Sequence, residues 1–292
     1  MATVATTTLI ERVRALTRDY GTALTTLGAG VTDTTGTTLT VASNADMSAG
    51  DFVMIDNELM EVVSTSTTTG ATVVRGSRGS TAATHSNGAL VRIGVVWGNH
   101  EVMQRLNSAL GSAYPSMYAT IDDTTEVIAS DTYEYDIPMN CERLVRVEIE
   151  TGTDGVYLID RQWSMQDKDT VLIEDAALHA TGNTIRMVGI GRFDNLTLTG
   201  NLDSDYPTDN EAALEYLVVN AAGRLLTERQ VPLGRRDSFV GITDKFQESQ
   251  PYISLTTGAQ LLKYSKQILR ECRMQPLQEY LPSISRHYYG RP

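Results

Sequence analysis

Apolar residues recur along this chain at two periods, and each change of period marks an element. Near the N-terminus Leu9, Val13, Leu16, Tyr20, Leu24 and Leu27 are spaced by threes and fours, one stripe of an amphipathic helix. Thr8 and Glu11 stand at capping-box spacing at its start, and Gly28 and Gly30 follow its end. From 31 to 96 the period falls to two, in a stretch rich in Thr and Gly. Residues 51–63 have strand character with an Asp56-Asn57 turn inside them, 71–74 return as a strand, and Asn87-Gly88 turns the chain into a last strand over 89–93. The helical period resumes after Trp97-Gly98-Asn99, with Val102, Leu106, Ala109, Leu110, Ala113 and Met117 on one face. A compact β-module therefore interrupts two helices.

The second half repeats the change. Residues 132–137 and 144–149 alternate, the latter as a strand with one wet face. Further strands are expected over 155–159, 171–173, 184–189 and 196–198, joined by turns rich in Asp, Gly and Asn. Together they predict a second, mostly antiparallel sheet. Helical spacing then returns behind Pro207, with Thr208 as cap and Glu211 at the capping-box position. Leu214, Leu217, Val218, Ala221, Ala222 and Leu225 form its stripe, and it ends near Val231-Pro232. The small residues Ala221, Ala222 and Gly223 permit close approach of another helix, from the same chain or from the next subunit. Leu261, Leu262, Leu269 and Cys272 predict a last helix up to Pro276, after which PLQEYLPSISRHYYGRP has no helical period. The expected fold class is α+β. Its helical-bundle core (1–30, 97–120 and 205–250) carries the inserted β-module (31–96), an antiparallel β region (121–204) and a C-terminal helix with an extended arm (251–292).

Charge divides along the same lines. The 292 residues carry 24 Lys and Arg against 36 Asp and Glu, a net of −12. From 251 onward six cations face two acids, +4, which leaves −16 for the rest. Gripping DNA from outside calls for a basic surface, because phosphate contacts dominate affinity. An acidic body does not clamp DNA, although DNA slides along such a wall without sticking. Cys141 and Cys272 have no CxxC spacing and imply no disulfide framework, in keeping with a reducing cytosol. The N-terminal residues lack a charged start followed by an apolar core, and no stretch is long and apolar enough to span a bilayer. A soluble protein made in the cytosol is expected.

Candidate chemistry is sparse along the chain. His85, His100, His179 and His287 lie at no metal-ligand spacing to one another or to Cys. Phosphate loops and nucleophile elbows are absent, and Gly189-Ile190-Gly191 lacks the third glycine of a dinucleotide loop. Residues 201–205 start like a calcium loop but put Tyr206 and Ala212 where Gly and Glu belong. The acid pairs Asp122-Asp123 and Asp203/Asp205 read as solvated turns. No catalytic residue, metal site or cofactor is predicted. Arg75 and Arg78, with no aromatic stacking partner in the sequence beside them, are expected as subunit contacts. His85 is expected to hydrogen-bond within a turn or to join those contacts.

The spelling of the β-module goes further than its period. Gly50-Asp51, Glu58-Leu59-Met60, Arg75-Gly76, Gly79-Ser80-Thr81-Ala82, His85 and Gly88-Ala89-Leu90-Val91 resemble a module of tailed-bacteriophage structural proteins. The order of elements resembles a head-to-tail adaptor (connector or neck protein) of such phages. That resemblance implies a ring, commonly a dodecamer, docked beneath the portal protein. The ring extends the DNA channel and offers a platform to the next neck or tail protein. It implies localisation in the virion neck, assembly with itself, and DNA that passes without specific binding, with no membrane partner and no enzymatic activity. The segment reaching the portal corresponds to Lys263, Lys266, Arg270, Arg273, Tyr280, Arg286, His287, Tyr288, Tyr289 and Arg291. The ring contact corresponds to the helix face Leu214, Leu217, Val218, Ala221, Ala222 and Leu225, with Arg75, Arg78 and His85 as contacts of the β-module. Two other functions fit the same residues: a tail-tube, baseplate or fibre-attachment component, and a glycan-binding or glycan-cleaving protein. The last needs clustered carboxylates and aromatics that the sequence does not supply.

Overall fold

The computed structural model describes residues 3–152, 155–174, 176, 179–228 and 250–274. The chain divides into two compact units. One joins the described residues of 1–112 and 194–271, the other those of 113–193 and 272–274. Four helices and three antiparallel sheets are found among the described residues.

The first unit opens with α1 (Thr6–Thr17) and continues through β1 (Ala23–Thr26), β2 (Thr38–Thr40), β3 (Phe52–Ile55), β4 (Glu58–Ser66), β5 (Gly70–Val74) and β6 (Leu90–Ile93). These six strands form one sheet in the order β1-β6-β3-β4-β5-β2. The sheet curls until its ends meet: Leu27 bridges Val41, Gly28 N donates to Thr40 O at 2.9 Å, and Ala42 N donates to Thr26 O at 2.8 Å. Inward-facing residues from every strand, among them Leu39, Val53, Ile55, Met60, Val73 and Val91, fill the interior. Period-two patterning with one apolar face dictates that result. The predicted Asp56-Asn57 turn joins β3 to β4, with Asp56 at φ 51°.

Three more helices complete this unit: α2 (Asn99–Ala113), α3 (Glu211–Glu228) and α4 (Gln250–Glu271). The long stripe read from Leu9 to Leu27 does not make one helix. Arg18 takes a left-handed conformation that closes α1, and Leu24 and Leu27 belong to the sheet region instead. The start of α1 also differs from the capping-box reading. Ala5 precedes the helix without a side-chain cap, and Thr6 N donates to Gly200 O at 3.0 Å. A tertiary carbonyl thus does the work assigned to Thr8. Likewise Asn210, not Thr208, caps α3: its Oδ1 accepts from Ala212 N at 3.1 Å.

The second unit holds β7 (Ala119–Asp123), β8 (Glu134–Asp136), β9 (Cys141–Glu150), β10 (Tyr157–Ile159), β11 (Trp163–Met165), β12 (Thr170–Ile173) and β13 (Ile185–Gly191). They form a four-stranded sheet, β10-β9-β13-β7, and a three-stranded one, β11-β12-β8. Tyr135, Val171 and Ile173 of the smaller sheet, with Ile137 just past β8, share one buried cluster with Leu144, Val147, Ile149, Ile185 and Met187 of the larger. The strand expected over 196–198 is not formed. There Leu196 N instead donates to the Asn107 side chain of α2 at 2.7 Å, while Leu196 O accepts from its amide at 3.1 Å.

The fold is therefore α+β, but the helical-bundle core is overturned. Each β region encloses a large buried apolar cluster of its own, so the core does not rest on the helices alone. The helices pack on one another in the first unit, α4 and α1 against α3, without becoming the frame into which a β-module is inserted.

Candidate interaction surfaces

The motif residues of the β-module converge on one carboxylate. Glu58 begins β4, immediately after the Asp56-Asn57 turn, and points into the space enclosed by the loop that follows β5. Arg75 donates to it twice, Nε at 2.7 Å and Nη2 at 2.8 Å. The backbone amides of Gly76 and Ala83 donate at 3.0 and 2.9 Å. His85 Nε2 stands 2.9 Å from Glu58 Oε2, and its Nδ1 stands 2.8 Å from Asp56 Oδ2. Only a ring with a proton on each nitrogen donates to both acids. Burial works to raise the Glu58 pKa, but these donors outweigh it and hold the group at about 2. The cluster is an internal lock: Arg75, expected as a subunit contact, is turned inward, and His85, expected to hydrogen-bond within a turn or to join those contacts, is buried against the Asp56-Asn57 turn. Arg78 alone of that trio remains partly exposed, stacked 3.9 Å over the Phe52 ring and donating to Val96 O.

A second buried network reaches the same turn from α1. Arg14 lies wholly inside the first unit. Its Nη1 donates to Asp19 Oδ2 at 2.9 Å, and its Nη2 donates to Trp97 O and Asn99 Oδ1, each at 2.8 Å. Asp19 in turn accepts from the amides of Val96 and Trp97. The Asn99 amide donates onward to Asn57 Oδ1 at 2.9 Å. One chain of polar groups therefore ties α1, the exit of the curled sheet, the start of α2 and the β3–β4 turn. Burial lowers the Arg14 pKa, and Asp19 pulls it back up. The sequence holds a signal for this residue: Arg14 sits four positions after Ile10, a buried position of the helix, where an isolated cation needs a partner. Glu58 carries a similar signal, an acid directly before Leu59-Met60 in a buried strand.

The helix face read as the ring contact is covered within the chain. Leu214, Leu217, Val218, Ala221, Ala222 and Leu225 are all buried. The small-residue stripe serves α4: a Cβ at Gly223 would meet Gly258 O at 3.1 Å and Leu262 at 2.9 Å. The close neighbour is thus the chain's own last helix. On α4 itself Ser265 and Ile268 face inward, and Lys263, Lys266 and Arg270 are exposed; past the helix end Cys272 is buried and Arg273 exposed. The spacing of three and four sets Lys263, Lys266 and Arg270 in one stripe. Among the described residues none of them has an ion-pair partner, whereas Arg12, Arg92, Arg105, Arg186 and Arg192 are each paired with an acid. Tyr280, Arg286, His287, Tyr288, Tyr289 and Arg291 lie outside the described residues.

Remaining candidate chemistry is occupied by structure. His100 bonds Gln104 at 2.9 Å. Asp122 is held by Arg186, which lowers its pKa, and Asp203 accepts from the amides of Asp194 and Asp205. Among the described residues no group of His, Cys, Asp and Glu could hold a metal ion, and no helix is long and apolar enough to cross a membrane. Comparison with protein-family models and with curated proteins finds no match for the chain.

Proposed function

We propose that this protein is a structural component of a tailed-phage virion, an adaptor that assembles into a ring beneath the portal and receives the tail. The observation that carries the reading is the α4 stripe. A chain of net −12 keeps Lys263, Lys266 and Arg270, with no ion-pair partner among the described residues, on one exposed helix face, with Arg273 just past the helix end. Such a stripe suits an acidic partner surface. The motif residues of the curled sheet support the virion reading through the fold they lock, since Glu58, Arg75, Gly76, Ala83 and His85 hold one another.

With the α3 face covered, the ring neighbour falls to other surface. Leu16, Tyr20 and Leu24 are exposed around the end of α1 and β1, and Leu90 lies on the adjoining strand. A head-to-tail contact of this kind closes into a ring when its rotation divides a full turn. The acidic remainder of the chain would let DNA pass without adhering, because phosphates meet like charge.

Negative-stain electron microscopy of the protein, alone and mixed with the cognate portal, tests the reading. Closed rings with a central channel that stack on the portal are expected. Charge reversal at Lys263, Lys266, Arg270 and Arg273 is expected to abolish stacking and leave the rings intact. A protein lacking 276–292 is expected to fold and to fail in joining filled heads. A monomer that ignores the portal overturns the adaptor reading, and six-fold rings that ignore it favour a tail-tube component.

A further inference from the structure

The four-stranded sheet ends on β10, which has no strand on its outer side among the described residues. Its pairing with β9 fixes where its backbone points. Val156 O accepts from Thr151 N at 3.0 Å, and Asp160 N donates to Val147 O at 2.9 Å. Residues 156, 158 and 160 therefore address β9. In an antiparallel ladder the residues between them turn N–H and C=O the other way. Tyr157 and Ile159 present two donors and two acceptors along an open edge.

This edge lacks the devices that keep such edges apart. Lysine, proline and bulges blunt exposed strands, whereas Val156-Tyr157-Leu158-Ile159 carries no charge and no proline. Its apolar side chains stand in water, Val156 at 47%, Leu158 at 63% and Ile159 at 41% exposure. Leu158 lies opposite Ile149, on the face that holds the core residues Val147, Ile185 and Met187. The apolar face of the sheet thus runs outward to a leucine that no described residue covers. Met165, on the edge strand β11 of the smaller sheet, is exposed as well.

We propose that the β10 edge pairs antiparallel with the β10 edge of a second copy, joining two four-stranded sheets into one of eight. The backbone directions select the register: Leu158 opposite Leu158, and Tyr157 of each copy opposite Ile159 of the other. Four backbone hydrogen bonds form, and the two Leu158 side chains meet on the two-fold axis. A second copy fits because an uncharged strand meets an uncharged strand, with no like charges across the pair. The opposite edge strand, β7, ends in Asp122 and Asp123, and an apolar strand laid against it would desolvate carboxylates. The contact is isologous, so it differs from the head-to-tail closure of a ring and goes beyond that reading. With a short strand at its centre, it is a small and reversible interface.

The test uses the full chain. Sedimentation equilibrium across a wide concentration range is expected to show association in units of two. Leu158→Lys places two ammonium groups face to face and is expected to abolish that step with the far-UV CD unchanged. Leu158→Cys is expected to give a covalent dimer on mild oxidation, because residues at a non-hydrogen-bonded pair stand about 4.5 Å apart at Cα. The unaltered chain, with Cys141 and Cys272, serves as control and is expected to give none. Failure of either readout overturns the proposal: a two-fold step that survives Leu158→Lys, or no cross-link from Leu158→Cys. Rings seen by microscopy leave both readouts interpretable, so loss of the adaptor reading and loss of the β10 contact are told apart.

Discussion

Glu58 and Arg75 meet side-on in a bidentate pair, with both side chains withdrawn from water. A buried pair of this kind contributes little relative to apolar residues of the same shape, but removing one partner strands the other. Glu58→Gln leaves Arg75 buried beside a neutral amide and turns one acceptor oxygen into an NH2, so that either the Gly76 amide or the Ala83 amide and His85 lose their acceptor. The expected loss of stability is about 3–5 kcal/mol, read as a lower urea midpoint. A loss under about 1 kcal/mol would show that the cluster does not lock the curled sheet.

The same carboxylate sets an acid limit. Glu58 titrates at about 2 in the folded protein against 4.5 as its ordinary value. Because the folded pKa is depressed, the stabilisation is complete above 4.5 and is lost as pH falls through that interval towards 2. The interval corresponds to roughly 3 kcal/mol. Urea midpoints measured from pH 6 to pH 2 are expected to fall more steeply for the natural chain than for Glu58→Gln. Parallel curves would place the acid sensitivity elsewhere.

Arg14 and Arg92 give a matched comparison of buried and exposed pairs in one unit. Arg14 is enclosed, with Asp19, Trp97 O and Asn99 as acceptors. Arg92 pairs with Glu11 at 3.0 Å near the surface, where the Glu11 side chain is 47% exposed. Arg14→Met keeps most of the volume but leaves Asp19 without its cation and is expected to cost about 3–5 kcal/mol. Glu11→Gln is expected to change stability by less than about 1 kcal/mol. Equal effects in chemical denaturation would refute the ranking.

How much of this was legible follows from the range of each interaction. The Asp56-Asn57 turn, the β9 strand and the α3 stripe are local patterns, and the chain folds as they read. Leu24 and Leu27 satisfied a helical spacing by coincidence. α1 closes at the left-handed Arg18, directly before Asp19, which is held by Arg14 and by amides 77 and 78 positions away. Arg75 turns inward for a reason of the same kind, whereas His85 makes the turn hydrogen bond expected of it. Their partner Glu58 lies 17 and 27 residues distant, and an arginine in a loop looks exposed until the fold closes over it. Buried apolar α3 residues gave no hint of which surface covers them, since a partner helix from the same chain and one from a neighbour make identical demands on the stripe.

The crossing of α3 and α4 shows what the small residues do and yields a prediction of opposite signs at two glycines. At Gly258 an added Cβ would stand 2.9 Å from the backbone N of Thr227 and 3.0 Å from Gly223 O. Backbone cannot rotate aside, so the helices must part. Gly111, within α2, has no atom within 4 Å of an added Cβ. In both helices alanine gains about 1 kcal/mol of helical propensity over glycine. At Gly111 nothing opposes that gain, and Gly111→Ala is expected to stabilise the protein by about 0.5–1 kcal/mol. At Gly258 overpacking outweighs it, and Gly258→Ala is expected to destabilise by about 1–3 kcal/mol. Urea unfolding followed by far-UV CD measures both. A stabilising Gly258→Ala would mean that the helices stand further apart than their glycines require, and would reopen the α3 face as a surface for a neighbouring subunit.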